Sequence, residues 1–191
     1  SAARARDTLS PMGSGDTLAA RHFFVGTAFP DVETRILPYN RVVTDLGEWT
    51  SAKFLEVVRD RFTEIVCPSP TPLKEHFSMY LGEEWYSFDL RPEKVRFGGT
   101  SPSNTLDVAI LQVQLLSPVL GLTDVRNDPR ISFVGGIYGT KVLERLVDSG
   151  EAAVAFSLAP VTAAELIEVS DATEMMPPKS TWFEPKLRDG L

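Results

Sequence analysis

A chain of 191 residues with 26 acidic and 19 basic side chains carries a net charge of −7. That balance argues against a broad phosphate-neutralising face, and so against a nucleic-acid partner. At 43% hydrophobic and 24% charged residues it has the make-up of a globular domain large enough to bury a good core, and no apolar run approaches the ~20 residues of a membrane span. A single cysteine, Cys67, excludes an internal disulfide and fits a reducing cytoplasm.

The chain opens without Met in the helix-forming run Ser1-Ala2-Ala3-Arg4-Ala5-Arg6, followed by a Gly/Pro/Ser loop over 10–17. Residues 22–29 read as an apolar strand, and 34–43 as an extended piece interrupted by Pro38. Phe54, Leu55, Val58 and Phe62 fall at helical spacing over 51–62, with Thr50 or Ser51 as cap. A short strand is expected over 64–67, where Cys67 reads as a small packed residue, and not as a nucleophile. The aromatic runs 76–81 and 85–90, joined across Gly82-Glu83-Glu84, predict a β-hairpin. Asn104 or Thr105 caps an amphipathic helix running to Leu120. Then come a strand at 131–134, a helix at 140–148, a strand at 153–158 and a helix at 162–171, a βαβα-like unit. The fold class is α+β: a mixed sheet with an antiparallel aromatic hairpin and this C-terminal unit.

Four stretches carry candidate chemistry. Tyr39-Asn40-Arg41 follows Pro38; Arg clamps a carboxylate or phosphate, and Asn offers a donor and an acceptor together. Gly135-Gly136-Ile137-Tyr138-Gly139-Thr140-Lys141 stands between a strand and a helix, where backbone N–H groups attract anions. Its glycine spacing matches neither a P-loop nor a dinucleotide fingerprint, so it reads equally as a plain turn. Asp124 and Asp128 could support Mg²⁺ through water, or neutralise Arg126 and Arg130 in a solvated loop. His22 and His76 have no partner at metal-ligand spacing, so no metal site is assigned, and no Gly-x-Ser-x-Gly elbow occurs. The fourth stretch, 176–187, is a stiff frame. Pro177-Pro178 fixes two φ angles, and Lys179, Ser180, Thr181, Trp182 and Phe183 follow at once, with Lys186 beyond Pro185.

That ending resembles the close of domain-of-unknown-function family 1015. The matching features are Asp171-Ala172, Met176 to Thr181, Trp182-Phe183, Pro185-Lys186 and Gly190-Leu191, with Leu37 to Val43 and Asp124 to Gly136 further back. Where the family usually has His, this chain has Asn40, which removes an acid–base group there. The resemblance implies a protein about twice this length, with an Asp-Gly-His-His-Arg signature just ahead of an Ala-Ala-x-Arg helix. Residues 1–191 are accordingly read as one domain, the C-terminal half of a longer protein, with 1–20 a helix and loop belonging to the missing N-terminal half. Ser1 as an N-terminal nucleophile has chemical logic, but an Ala/Arg helix is the wrong opening for it. The absent signature is similar to that of the ParB/sulfiredoxin-like superfamily, some of whose members bind nucleotides or phosphorylate free serine. This implies a nucleotide-dependent small-molecule kinase or nucleotide hydrolase, taking a nucleotide with Mg²⁺. Asn40, Arg41, Arg126, Lys179, Ser180, Thr181 and Lys186 would bind substrate or phosphate, the catalytic acid or base would lie upstream, and the N-terminal half would be the partner. A non-enzymatic ligand-binding or regulatory module, using the same groups as a clamp, is the alternative.

Overall fold

The computed structural model describes Gly26 and residues 28–30, 33–90 and 101–185, and divides the chain into units 1–34 and 35–191. The expected helix at 1–6, the loop at 10–17 and most of the strand at 22–29 lie outside the described residues. In the first unit, Glu33 N and Thr34 Oγ1 both donate to the Pro30 carbonyl.

In the second unit, β1 (Arg35–Leu37) pairs with β8 (Trp182–Glu184) as a two-stranded ribbon. The main sheet has six strands: β2 (Tyr39–Val43), β3 (Thr63–Glu64), β4 (His76–Leu81), β5 (Glu84–Asp89), β6 (Ile131–Gly135) and β7 (Val154–Leu158). Their order is β3-β5-β4-β7-β2-β6, and every neighbouring pair is antiparallel. Both β6 and β7 oppose β2, so those two run parallel to each other with β2 between them. The expected βαβα unit thus has β2 inserted between its two parallel strands and adds no parallel pair to the sheet, and the α+β class stands. The hairpin closes on two residues, Gly82 and Glu83, both at positive φ, with Leu81 opposite Glu84.

Alternation along the strands sends side chains to two cores. Val43, Phe77, Met79, Phe88, Val154 and Phe156 face a large core with α1 (Ser51–Arg61), α2 (Asp107–Leu111) and α3 (Ser117–Leu120). Val42, Tyr80 and Ala155 face a smaller one closed by Leu143 of α4 (Lys141–Asp148). No helix among the described residues is long and apolar enough to cross a membrane.

Two expectations are corrected. The helix does run on to Leu120, but it starts at Asp107 with Leu106 as cap, behind a 3-10 turn (Pro102–Thr105), and a π-helical turn (Gln112–Leu116) joins α2 to α3. Pro118 has no N–H to give the Gln114 carbonyl four residues back, and that carbonyl instead accepts from Arg61 Nη1 at 3.4 Å. Strand pairing at 64–67 stops at Glu64 of the edge strand β3, so Val66 is 94% exposed and Cys67 is exposed, not packed.

The last helix, α5 (Ala163–Asp171), starts with a reciprocal cap: Glu165 N donates to Thr162 Oγ1 at 3.1 Å, and Thr162 N to Glu165 Oε2 at 2.8 Å. Thr162→Ala should cost about 1 kcal/mol. Urea denaturation will read it as a lower midpoint at unchanged slope.

Candidate functional site

Three sequence motifs far apart in the chain meet at one end of β2. Tyr39 stands opposite Gly135, so the glycine turn lies beside the Pro38-Tyr39 step. Leu37 pairs with Trp182, which lays the C-terminal ribbon over the same place. The Trp182 ring fits here because Gly135 has no side chain; a Cβ would come within 2.5 Å of it. Trp182 also contacts Tyr39 and Tyr138, with ring centroids 5.5 and 6.1 Å away. Lys179 takes a left-handed backbone (φ 52°) after Pro177-Pro178, and its ammonium sits 5.4 Å above the Tyr39 ring. A non-glycine residue held there by rigid neighbours is stored strain of the kind found at ligand clamps.

Beneath this aromatic rim lies a recess of about 230 Å³, open mouth included, lined among others by Tyr39, Arg41, Lys74, Asp107, Leu158 and Ser180. Arg41 is 2% exposed. Its place in β2 puts it between Phe133 and Phe156, and the guanidinium lies 5.6 Å over the Phe133 ring. Nη1 donates to the Tyr39 carbonyl at 3.0 Å, but Nε is buried without a partner. No carboxylate among the described residues pairs with it. Burial alone pulls its pKa down to about 9, which leaves it charged at neutral pH. A buried, uncompensated guanidinium is costly and rare.

Lys74, by contrast, is held by two acids: Asp107 Oδ2 at 3.1 Å and Glu165 Oε1 at 2.8 Å. Burial works against the Lys74 ammonium, yet the two carboxylates together raise its pKa. Asp107 is 4% exposed and accepts from Glu75 N as well. Burial shifts its pKa upward more strongly than Lys74 draws it down.

The expected site residues divide. Arg41 and Ser180 line the recess; Lys179 does not, but its ammonium lies over the ring of Tyr39, which does. Asn40 is buried beside it with a local duty: its Oδ1 accepts from Leu158 N at 3.4 Å, where the β2–β7 ladder ends. Thr181 is half-buried and does not line the recess. Arg126 is exposed in the 124–130 loop and is not part of the recess wall, and Lys186 lies outside the described residues. In that loop Asp124 accepts from Asn127 Nδ2 and Arg126 N, while Asp128 binds Arg130 at 2.9 Å. The solvated-loop reading of these acids therefore holds. Among the described residues no three His, Cys, Asp or Glu side chains gather as a metal set. The donors at the recess suit an anion: Arg41 Nε is buried without an acceptor, and the buried residue Ser180 brings a hydroxyl to the same wall. Lys74 and Asp107 were not singled out in the sequence, and no local signal marks them. One follows a proline-rich loop and the other opens a helix, which are ordinary places for a lysine and an aspartate.

The family model described as "Protein of unknown function (DUF1015)" matches residues 1–109. That range includes Leu37 to Val43 but not the proline-rich ending. No curated protein matches the chain. Among solved structures, a free serine kinase in complex with AMP aligns with a TM-score of 0.45 at 14% identity, over 80% of this chain and 55% of that one. A mutant of the kinase in complex with ADP aligns with a TM-score of 0.43 at 17% identity and the same coverage. The chain thus spans little more than half the length of these kinase chains.

Proposed function

The chain belongs to the DUF1015 family, and we propose that its Arg41 recess seats one phosphoryl group of a small-molecule ligand, as part of a nucleotide-dependent small-molecule kinase or nucleotide hydrolase. The observation that carries this reading is the buried Arg41 guanidinium with its Nε unsatisfied. A phosphoryl oxygen would give it both the acceptor and the counter-charge it lacks. The recess is narrow, with free space for little more than a water molecule, so an entering phosphoryl group would have to part its walls. Such an opening would admit a headgroup alone and leave the rest of the ligand against Tyr39, Trp182 and Tyr138, an aromatic rim suited to a base. Ser180 would donate to the seated oxygens, and Lys179 would add positive charge at the mouth.

In phosphoryl transfer such groups position the substrate and neutralise charge on its oxygens. Bound Mg²⁺ would supply further charge neutralisation, with ligands from outside the described residues. The N-terminal half of the same protein belongs to this reading as the partner that completes the site. A cytoplasmic setting belongs to it too, on the strength of a single cysteine.

The test is thermal unfolding of the full-length protein with AMP, ADP and ATP, each with and without Mg²⁺, at matched ionic strength. A nucleotide at 100 times its Kd stabilises by about 2.7 kcal/mol, a shift of several degrees. The expected result is such a shift in the native protein and none in Arg41→Met. Stabilisation by inorganic phosphate but by no nucleotide would favour the non-enzymatic ligand-binding module. No shift with any of them would refute the reading.

A further inference from the structure

The recess that holds an unpaired cation also holds a fixed carboxylate. Asp107, at the start of α2, is buried in the same wall as Arg41 and Ser180. The groups facing it are Lys74 and the Glu75 N–H ahead of β4, Glu165 on α5 and, across the recess, Arg41 on β2. An anion that enters to satisfy Arg41 arrives beside a like charge that cannot swing away, because Glu75 N and Lys74 pin both of its oxygens. A second negative charge in so small a site raises the pKa of the carboxylate already there.

We propose that Asp107 takes up one proton from solvent when an anion seats against Arg41, so that this site binds its anion and a proton together. This rests on the anion reading above and assigns the site its proton-handling residue. Lys74 need not move, since Glu165 keeps its partner at 2.8 Å when Asp107 turns neutral. Of the two acids, Asp107 is the one that yields. Burial already favours its protonated form, whereas Lys74 and the Thr162 cap hold Glu165 below the usual carboxylate range despite burial. Once protonated, the Asp107 carboxyl becomes a hydrogen-bond donor in a recess whose occupant offers only acceptors.

Sulfate is the probe of choice, because it does not titrate between pH 5 and 8. Its binding to the full-length protein is followed by tryptophan fluorescence at fixed ionic strength, and by calorimetry in two buffers of different ionisation heat. Native protein should bind sulfate more weakly as pH rises, by up to tenfold per unit, with close to one proton taken up per sulfate. Asp107→Asn should bind with no pH slope and no proton uptake. Binding through Arg41 without proton uptake, or an unchanged slope in Asp107→Asn, would overturn the proposal. If Asp107→Asn does not fold, the native proton count decides by itself. Sulfate that fails to bind, or binds equally to Arg41→Met, defeats the anion reading and this proposal with it.

Discussion

Arg41→Met should abolish anion binding and at the same time make the protein harder to unfold. The two effects share one cause. A guanidinium that is 2% exposed and paired with no described carboxylate has given up its hydration for one hydrogen bond and one ring contact. Burying a charge costs several kcal/mol. The bond to the Tyr39 carbonyl returns about 1 kcal/mol, and the Phe133 contact about as much. Methionine keeps the length and the apolar stem, so a net gain of roughly 1–3 kcal/mol is expected, on the pattern of buried charges replaced by apolar side chains. At roughly 2–4 °C per kcal/mol, that is a measurable rise in Tm.

The pH dependence has a definite sign. Burial lowers the folded-state pKa of Arg41 to about 9, below its value in the unfolded chain. The penalty is therefore complete at neutral pH and eases as pH rises through 9, so the advantage of Arg41→Met should shrink there. Binding should fall by about a hundredfold or more, since removing one partner of a buried charged contact costs roughly 2–5 kcal/mol. Urea denaturation at pH 7 and at pH 9.5, with anion titrations of both proteins, checks each part. A strongly destabilised Arg41→Met would mean that the guanidinium is satisfied within the protein and serves the fold.

Much of this architecture could be read from local pattern, and the parts that could not have physical reasons. The aromatic runs on either side of Gly82-Glu83-Glu84 gave the hairpin, whose Phe77, Met79 and Leu81 face the large core while Ser78 and Tyr80 face away from it. The helix expected over 162–171 is α5, opened by the Thr162 cap. Sheet order was beyond reach: β2 sits between β6 and β7, strands whose pairing with it spans roughly a hundred residues of chain. The π-helical turn had its sequence signal in Pro118, but the amphipathic spacing of Leu106, Ile110 and Leu116 masked it.

The site was legible where an unusual local frame declared itself, as in Pro177-Pro178-Lys179-Ser180 and Pro38-Tyr39-Asn40-Arg41. What the sequence could not say is that no carboxylate among the described residues pairs with Arg41, or that Asp107 shares its recess. Both facts concern neighbours brought together by the sheet, and neither leaves a trace in the spacing of residues along the chain.

Gly136→Ala should be among the most damaging single-methyl changes available to this fold. A Cβ there would lie 2.6 Å from Pro38 Cδ, 2.9 Å from Pro38 Cγ and 2.9 Å from the Pro38 carbonyl oxygen. A proline ring and a peptide oxygen are not flexible ends that step aside. The amide of the same glycine donates to that carbonyl at 2.7 Å, so the methyl group and the hydrogen bond compete for one place. Overpacking costs typically about 1–3 kcal/mol, and losing the bond adds about 1 kcal/mol, so roughly 2–4 kcal/mol of stability should go. The relaxation must push Pro38 and Tyr39 away from the end of β6, and Arg41 is two residues further along the same strand. Anion binding should weaken together with stability.

Gly135→Ala supplies the contrast. The atoms nearest its Cβ would belong to the Trp182 ring, at 2.5 and 2.7 Å, and that ring belongs to the short ribbon that follows Lys179 and Ser180. Displacing the ribbon leaves the main core intact, so Gly135→Ala should lose binding with a smaller loss of stability. Urea midpoints and sulfate affinity for the two variants would separate these outcomes. If Gly136→Ala unfolds like the native protein, the Pro38–Gly136 contact is not the rigid support that fixes Arg41 in its recess.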